Sequence, residues 1–174
     1  MVEAAVGAKT IYTIGHSNHP LARFLELLAR HFIRRLVDVR GRPFSRFNPH
    51  FNRARLSAAL QSADIEYHWS GEHLSGRPTD PAVMDGAGKP DWARVSSLPG
   101  FCASLGAVIE KAGVRSAMMC AEEDPRRCHR RFLLTPPLVA LGVEVLHIRG
   151  SGRIESETAL RAAGKGPQGE LFGA

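Results

Sequence analysis

The stretch Ile11-Tyr12-Thr13-Ile14-Gly15-His16-Ser17 is an apolar, strand-like run that ends in small and polar residues. It is followed by residues 21–32, in which apolar side chains recur at the spacing of one helix face. Pro20 suits the first turn of that helix, and residues 36–40 then read as a second strand. A strand, a helix and another strand in this order predict a parallel strand pair with a helix crossing between them.

The same alternation continues along the chain. We predict further helices over residues 56–63, 92–112 (interrupted near Pro99) and 125–141, and further strands over residues 65–69, 115–120 and 144–148. These elements predict a single α/β domain over residues 11–150, with a mostly parallel open sheet flanked by helices. Residues 1–10 are then an N-terminal extension and residues 70–90 a long irregular loop. Residues 151–174 are mostly small and polar, which predicts a flexible tail.

Composition narrows the class of protein. The 174 residues suffice for one domain, and 44% hydrophobic with 23% charged residues is typical of a folded soluble protein. We expect no membrane span, no secretory signal and, with only three cysteines, no disulfide framework, which together favour the cytoplasm. The net charge is +6, and 19 of the 23 basic residues are arginine. Arginine favours a phosphate-bearing partner, although a GC-rich genome would also enrich it.

Polar residues follow the apolar run of most of the predicted strands. The carboxyl ends of parallel strands meet at one edge of a sheet, where ligands bind. We therefore expect one polar site at this edge, formed by His16, Ser17, Asp38, Arg40, Ser45, Arg46, Cys120, Glu122, His129 and Arg130.

The densest motif is Met119-Cys120-Ala121-Glu122-Glu123-Asp124-Pro125-Arg126-Arg127-Cys128-His129-Arg130. Asp124 followed by Pro125 indicates the start of a helix. Cys120 and Arg126 have the Cys-x5-Arg spacing of a phosphatase loop. Three carboxylates lie between them and would repel a phosphate, and no glycine lets the loop amides converge. The motif therefore does not favour a phosphatase.

Other interpretations of this motif stay open. A zinc site would use thiolate and imidazole ligands at an unusual spacing, namely Cys120, Cys128, His129 and His16. A hard divalent cation would use carboxylates instead, namely Glu122, Asp124 and Asp38. Cys120 and Cys128 could also form a redox pair, or the cysteines could be buried in a structural network with Glu122 paired to Arg130 or Arg40.

A second motif leads from the strand at residues 36–40 towards the next helix. Residues 38–55 carry five arginines interleaved with three phenylalanines. Guanidinium groups and aromatic rings together suit a phosphate backbone with stacked bases. In the alternative interpretation the phenylalanines anchor the loop to the core and the arginines are solvated, which we expect for Phe51.

These motifs resemble the bacterial family called domain of unknown function 488. The resemblance runs over about residues 12–148 and is carried by Ile14-Gly15-His16-Ser17, Leu36-Val37-Asp38-Val39-Arg40, Pro43, Ser45-Arg46, Tyr67, Leu74-Ser75-Gly76-Arg77-Pro78 and Cys120-Ala121-Glu122 through Cys128-His129-Arg130. Ser75, where the family more often has glycine, and Pro136-Pro137, which would kink a helix, depart from the pattern. The resemblance implies an α/β domain and no particular reaction.

Two hypotheses for the function follow. The first is a metal-assisted hydrolase acting on phosphate esters of nucleic acid or nucleotides. Its catalytic candidates are His16, Ser17, Asp38, Cys120, Glu122 and His129, and its anion-binding candidates are Arg40, Ser45, Arg46 and Arg130. The second is a non-catalytic nucleic-acid-binding or adaptor module that uses the arginine and phenylalanine loop, with a structural Cys-Glu-His-Arg cluster.

A motif near the C-terminus predicts a protein partner. Gln168-Gly169-Glu170-Leu171-Phe172 has the pattern of the peptide with which bacterial replication and repair proteins bind the sliding clamp. Two apolar anchors, Leu171 and Phe172, on a flexible tether fit a pocket on a partner, and the amide of Gln168 fixes the register. The sequence therefore predicts a role in DNA maintenance, unless the two anchors fold back onto the domain.

Overall fold

The computed structural model describes residues 9–164 of the chain. Its strands are β1 (Thr10–Gly15), β2 (Arg35–Asp38), β3 (Glu66–Trp69), β4 (Ser116–Cys120), β5 (Glu144–Ile148) and β6 (Ile154–Ser156). They form one sheet in the order β3-β2-β4-β1-β5-β6, in which only the β5–β6 pair is antiparallel. The predicted α/β fold with a mostly parallel sheet is confirmed.

Seven α-helices are found in the described part of the chain. They are α1 (Leu21–Arg30), α2 (Arg53–Gln61), α3 (Gly71–Leu74), α4 (Trp92–Ser97), α5 (Pro99–Glu110), α6 (Thr135–Ala140) and α7 (Glu157–Ala163). Helix α3 and the 3-10 turn Pro81–Val83 lie within the predicted loop at residues 70–90. No helix in residues 9–164 is long and apolar enough to cross a membrane.

The sheet separates two apolar cores because successive residues of a strand point to opposite faces. Leu36 packs with side chains of α1 and α2 on one face. Its neighbour Val37 packs with side chains of α4, α5 and α6 on the other. Helices on both faces leave the edge at the carboxyl ends of β1, β2 and β4 open for a site.

The single helix predicted over residues 125–141 is wrong. The structure has a 3-10 turn at Pro125–Arg127, a π-helical turn at Arg130–Leu134, and then α6. Pro136 and Pro137 occupy the first turn of α6, because proline lacks an amide hydrogen and fits only there without breaking a helical hydrogen bond.

The domain also extends further than residue 150. Residues 154–156 pair with β5, and α7 follows, capped by the Ser156 hydroxyl, which accepts from the Ala159 amide at 3.1 Å. Glu157 and Leu160 are buried, and Glu157 accepts hydrogen bonds from Arg131 and His147. The prediction of a flexible tail from Ser151 is therefore wrong for residues 151–164. This segment is held to the domain largely by ion pairs, which a search for apolar periodicity does not detect. The remaining tail and the predicted clamp peptide lie outside the described residues, as do residues 1–8.

Candidate functional site

The carboxyl ends of β2, β4 and β1 lie side by side, as the sheet order requires. Gly15 pairs with Cys120 and Asp38 with Met119. The pairing continues past β1, where the His16 amide donates to the Cys120 carbonyl at 2.9 Å. Most of the residues predicted at the strand ends then separate into two clusters and one exposed loop.

The first cluster, which we call the arginine bracket, consists of Asp38, Arg40, His16, Phe51 and Tyr67. Arg40 donates to both oxygens of Asp38, from Nε at 2.9 Å and from Nη2 at 2.6 Å. It also donates to the Phe51 carbonyl at 2.9 Å, and the Tyr67 hydroxyl donates to Asp38 at 2.8 Å. Asp38 is fully buried and Arg40 is 6% exposed. These hydrogen bonds connect the end of β2 to Phe51, where the loop after β2 comes back to the domain.

His16 lies in the bracket as a neutral imidazole. Arginine can only donate, so Nε2 of His16 accepts from Nη1 of Arg40 at 3.2 Å, and Nδ1 then donates to the Ser17 carbonyl at 2.8 Å. The ring stacks on Phe51 with 4.3 Å between centroids. Burial, and next the charge of Arg40, lower the pKa of His16 to about 4. Both ring nitrogens are occupied, which does not favour a proton-transfer role for His16.

The second cluster, which we call the cysteine cluster, consists of Cys120, Cys128, His129 and Arg130. Nδ1 of His129 lies 3.7 Å from the Sγ atom of each cysteine. Nε of Arg130 donates to Sγ of Cys128 at 3.2 Å. A thiolate at Cys128 therefore faces one guanidinium group and one imidazole, the surroundings that stabilise its negative charge.

The pKa values of the two neighbouring cysteines are shifted in opposite directions. The hydrogen bond from the Cys120 thiol lowers the pKa of Cys128, and this lowering outweighs the burial of Cys128. The same hydrogen bond, together with burial, raises the pKa of Cys120. Cys128 is therefore the more acidic of the two thiols.

Arg130 fixes the loop between the two cysteines. Its side chain is 1% exposed, and Nη2 donates to the carbonyls of Glu122 and Glu123. The loop passes so close to β1 that a Cβ atom on Gly15 would lie 1.9 Å from the Glu122 carbonyl oxygen. Glycine at this position is thus a packing requirement.

The remaining predicted residues lie outside the clusters. The Glu122 side chain is exposed and accepts from the Asp124 amide at 3.3 Å, so its backbone, not its carboxylate, meets Arg130. Asp124 caps the 3-10 turn as predicted, accepting from the Arg126 amide at 3.0 Å. Ser17 is half-buried in a left-handed conformation, with φ at 47°. Ser45 accepts from the Asn48 amide at 3.0 Å and shapes its own loop.

The exposed element is residues 41–52, which we call the Arg/Phe loop. Phe44 is 61% exposed and Phe47 is 82% exposed. Arg42 and Arg46 are also exposed, and the Arg46 guanidinium lies 5.1 Å from the centroid of the Phe47 ring. Phe51, by contrast, is fully buried against His16 and Phe24, as the sequence predicted.

Two further buried polar groups lie outside the predicted site, although His147 was expected at a strand end. Thr13, His147 and Glu157 form a chain, with 2.8 Å between Thr13 Oγ1 and His147 Nδ1 and 3.1 Å between His147 Nε2 and Glu157 Oε2. Arg35 lines a cavity of about 280 Å³ between β2, β3 and α5, and its Nε and Nη1 atoms make no hydrogen bond within residues 9–164. An arginine and a histidine within otherwise apolar strand sequences are the signal that could have indicated these two groups.

The profile of the family described as domain of unknown function DUF488 matches residues 20–135, about two thirds of the chain. The chain belongs to this family. The DUF488 match covers the Arg/Phe loop, the cysteine cluster and all of the arginine bracket except His16. No curated protein and no solved structure matches the chain, so the function has to be inferred from the site.

Proposed function

We propose that this DUF488 protein binds single-stranded nucleic acid through the Arg/Phe loop. The observation that carries the proposal is the exposure of two aromatic rings, Phe44 at 61% and Phe47 at 82%, beside exposed Arg42 and Arg46. Aromatic rings in single-strand-binding proteins stack on bases of any sequence, and arginines contact the phosphates. The net charge of +6 supports the same class of partner.

The anchoring of the loop supports the proposal. Arg40 ties the Phe51 carbonyl to Asp38, and Trp69 donates from Nε1 to the Arg40 carbonyl at 2.9 Å. The loop therefore leaves and rejoins the domain at fixed points while its tip faces solvent. Fixed ends reduce the conformational entropy lost on binding.

Binding is favoured over phosphate-ester hydrolysis because the arginines of the proposed active site are already engaged. Arg40 and Arg130 are 6% and 1% exposed and donate to groups of the protein itself. Neither presents a free fork of donors to an incoming phosphate. The anion-binding role predicted for them passes to Arg42 and Arg46 of the loop.

Fluorescence anisotropy with labelled oligonucleotides tests the proposal on the full chain. We expect single strands to bind more tightly than duplexes of the same length, with an affinity that falls steeply with salt. Phe44→Ala/Phe47→Ala should weaken single-strand binding by at least tenfold. Phe32→Ala is the matched control, because Phe32 is 66% exposed but precedes β2 at the opposite end of that strand. Equal affinities of the two variants would overturn the proposal.

The clamp-binding peptide would bring this activity to replicating or repaired DNA in the cytoplasm. The support is the pattern of Gln168, Leu171 and Phe172 in the sequence. A peptide of residues 165–174 should bind the bacterial sliding clamp with micromolar affinity by calorimetry, as short segments that order on binding do. Unchanged binding after Leu171→Ala/Phe172→Ala would refute the assignment.

A further inference from the structure

The cysteine cluster has a feature that neither packing nor the Arg/Phe loop requires. The Sγ atoms of Cys120 and Cys128 and a ring nitrogen of His129 all lie within 4.8 Å of one another. One residue comes from the end of β4, and the other two follow the 3-10 turn that brings the chain back over it. Two thiol sulfurs and one imidazole nitrogen, supplied by two segments of the chain, thus lie close together.

The distances fit a tetrahedral metal ion. With zinc–sulfur and zinc–nitrogen bonds of about 2.3 and 2.05 Å, a tetrahedron has sulfur–nitrogen edges of about 3.6 Å and sulfur–sulfur edges of about 3.8 Å. The two sulfur–nitrogen distances here are both 3.7 Å. The two sulfur atoms are at most 4.8 Å apart. They would have to approach by no more than about 1 Å to reach the sulfur–sulfur edge of the tetrahedron.

The surroundings of the donors also fit a metal site. Within residues 9–164, Nδ1 of His129 has polar contacts only with the two sulfur atoms, which leaves it available to a metal ion. Nε2 is buried without the hydrogen-bond partner that a ligating histidine usually has. The ring is instead held by Gly76, where a Cβ atom would lie 2.6 Å from Cβ and Cγ of His129. Nε of Arg130 donates to Cys128 Sγ at 3.2 Å, the kind of outer contact that orients a thiolate ligand.

We propose that Cys120, Cys128 and His129 bind one zinc ion, with a fourth coordination position open to water or a substrate oxygen. Two thiolates and an imidazole suit zinc better than magnesium or calcium, which prefer oxygen ligands. Two cysteines, one histidine and an open position are a ligand set of catalytic zinc sites, whereas structural sites use four protein ligands. Among the described residues, the cluster supplies three such ligands.

This inference is independent of the proposed nucleic-acid binding, because the three ligands lie outside the Arg/Phe loop. Zinc removal should therefore leave oligonucleotide affinity unchanged within a factor of about two. A failure of zinc binding would say nothing about the loop, and a failure of oligonucleotide binding would say nothing about the zinc.

The first test uses the untagged full chain purified under reducing conditions. We expect one zinc per chain by elemental analysis, and X-ray absorption should show two sulfur and two nitrogen or oxygen neighbours. Cobalt substitution should add thiolate-to-metal charge-transfer absorption, which requires no variant and therefore no assumption about folding. Absence of zinc together with absence of the cobalt bands would overturn the proposal, and so would a Cys120–Cys128 disulfide as the form isolated.

The second test uses variants and zinc alone, titrated against a chromophoric chelator. Cys120→Ser and Cys128→Ser should each weaken zinc binding by at least about a hundredfold, since loss of an outer contact alone commonly costs 10- to 100-fold. Cys102→Ser is the matched control, because Cys102 is exposed on α5 and its Sγ contacts the Ser96 carbonyl. Gly76→Ala should weaken binding without removing a donor atom, by displacing His129. Affinities equal to that of Cys102→Ser would overturn the assignment.

Discussion

Arginines in two regions of this protein have opposite surroundings. Arg40 and Arg130 are buried, and their guanidinium groups donate to a carboxylate, a sulfur atom and backbone carbonyls. Arg42 and Arg46 are exposed beside Phe44 and Phe47. The first pair holds loops in place at the edge of the sheet. The second pair is accessible to a binding partner.

The difference shows that arginine content by itself does not measure a binding surface. Arg40 and Arg42 are two residues apart, yet only Arg42 is accessible. A buried arginine without its partners is strongly unfavourable, whereas an exposed one loses little when its neighbour is removed. The two regions should therefore respond differently to equivalent substitutions.

The largest expected effect is on stability. Arg130→Met removes the donor to Cys128 Sγ and to the carbonyls of Glu122 and Glu123. It should lower the free energy of unfolding by at least about 3 kcal/mol, since each buried acceptor left without a donor costs about 1–3 kcal/mol. Arg126→Met, which breaks only an exposed pair with Asp124, should lower it by less than about 1 kcal/mol. Urea unfolding measures both, and equal losses would contradict the assignment of Arg130 to the interior.

The second effect concerns pH and the arginine bracket. Burial and the charge of Arg40 hold the pKa of His16 at about 4, below its ordinary 6.5. Between pH 4 and pH 6.5 the folded protein therefore binds fewer protons than the unfolded chain. Stability should therefore fall as the pH drops from 6.5 to 4, by about 3 kcal/mol in total.

His16→Asn should reduce that slope, and unfolding at several pH values would reveal it. The interval between pH 6.5 and 5 avoids the response of Glu157, and the comparison with His16→Asn removes the contributions of His31 and His68, whose pKa values are also lowered by burial. Burial works to raise the pKa of Glu157, but hydrogen bonds from His147, Arg161 and Arg131 lower it to about 2. An unchanged pH dependence of stability in His16→Asn would mean that groups other than His16 take up the protons on unfolding.

The third effect concerns the exposed region. Phe47→Ala should reduce the binding free energy for single-stranded DNA or RNA by about 1–3 kcal/mol, the usual contribution of one stacked base. The unfolding free energy should stay within about 0.5 kcal/mol, since Phe47 is 82% exposed. Anisotropy and urea unfolding of the same preparation separate the two quantities. A loss of stability without a loss of affinity would make Phe47 a packing residue.

The smallest effect is on salt dependence. Arg46→Ala should lower the slope of log affinity against log salt by about 0.7, the value for one phosphate contact on a single strand. Arg55→Ala serves as the comparison, because Arg55 is exposed on α2, outside the loop. Equal slopes for Arg46→Ala and the unaltered protein would exclude Arg46 from the phosphate contacts.

The strands and most of the helices could be predicted from the sequence because apolar periodicity is a local property. The predicted strand at residues 144–148 has the bounds found for β5, and the break near Pro99 separates α4 from α5. Strand β6 could not be predicted, since it pairs with an edge supplied by β5. Helix α7 was missed because Glu157 is held by Arg131 and His147 and not by an apolar face.

The sequence by itself determined the α/β class, the alternation of strands and helices, and the placement of polar residues at the strand ends. Only the tertiary structure decided which of these residues share a cluster, because that depends on the sheet order and on backbone contacts such as that of Arg130 with the Glu122 carbonyl. It also separated buried Arg40 from exposed Arg42. Periodicity records which face of an element is apolar, whereas burial of a charged side chain depends on partners distant in the chain.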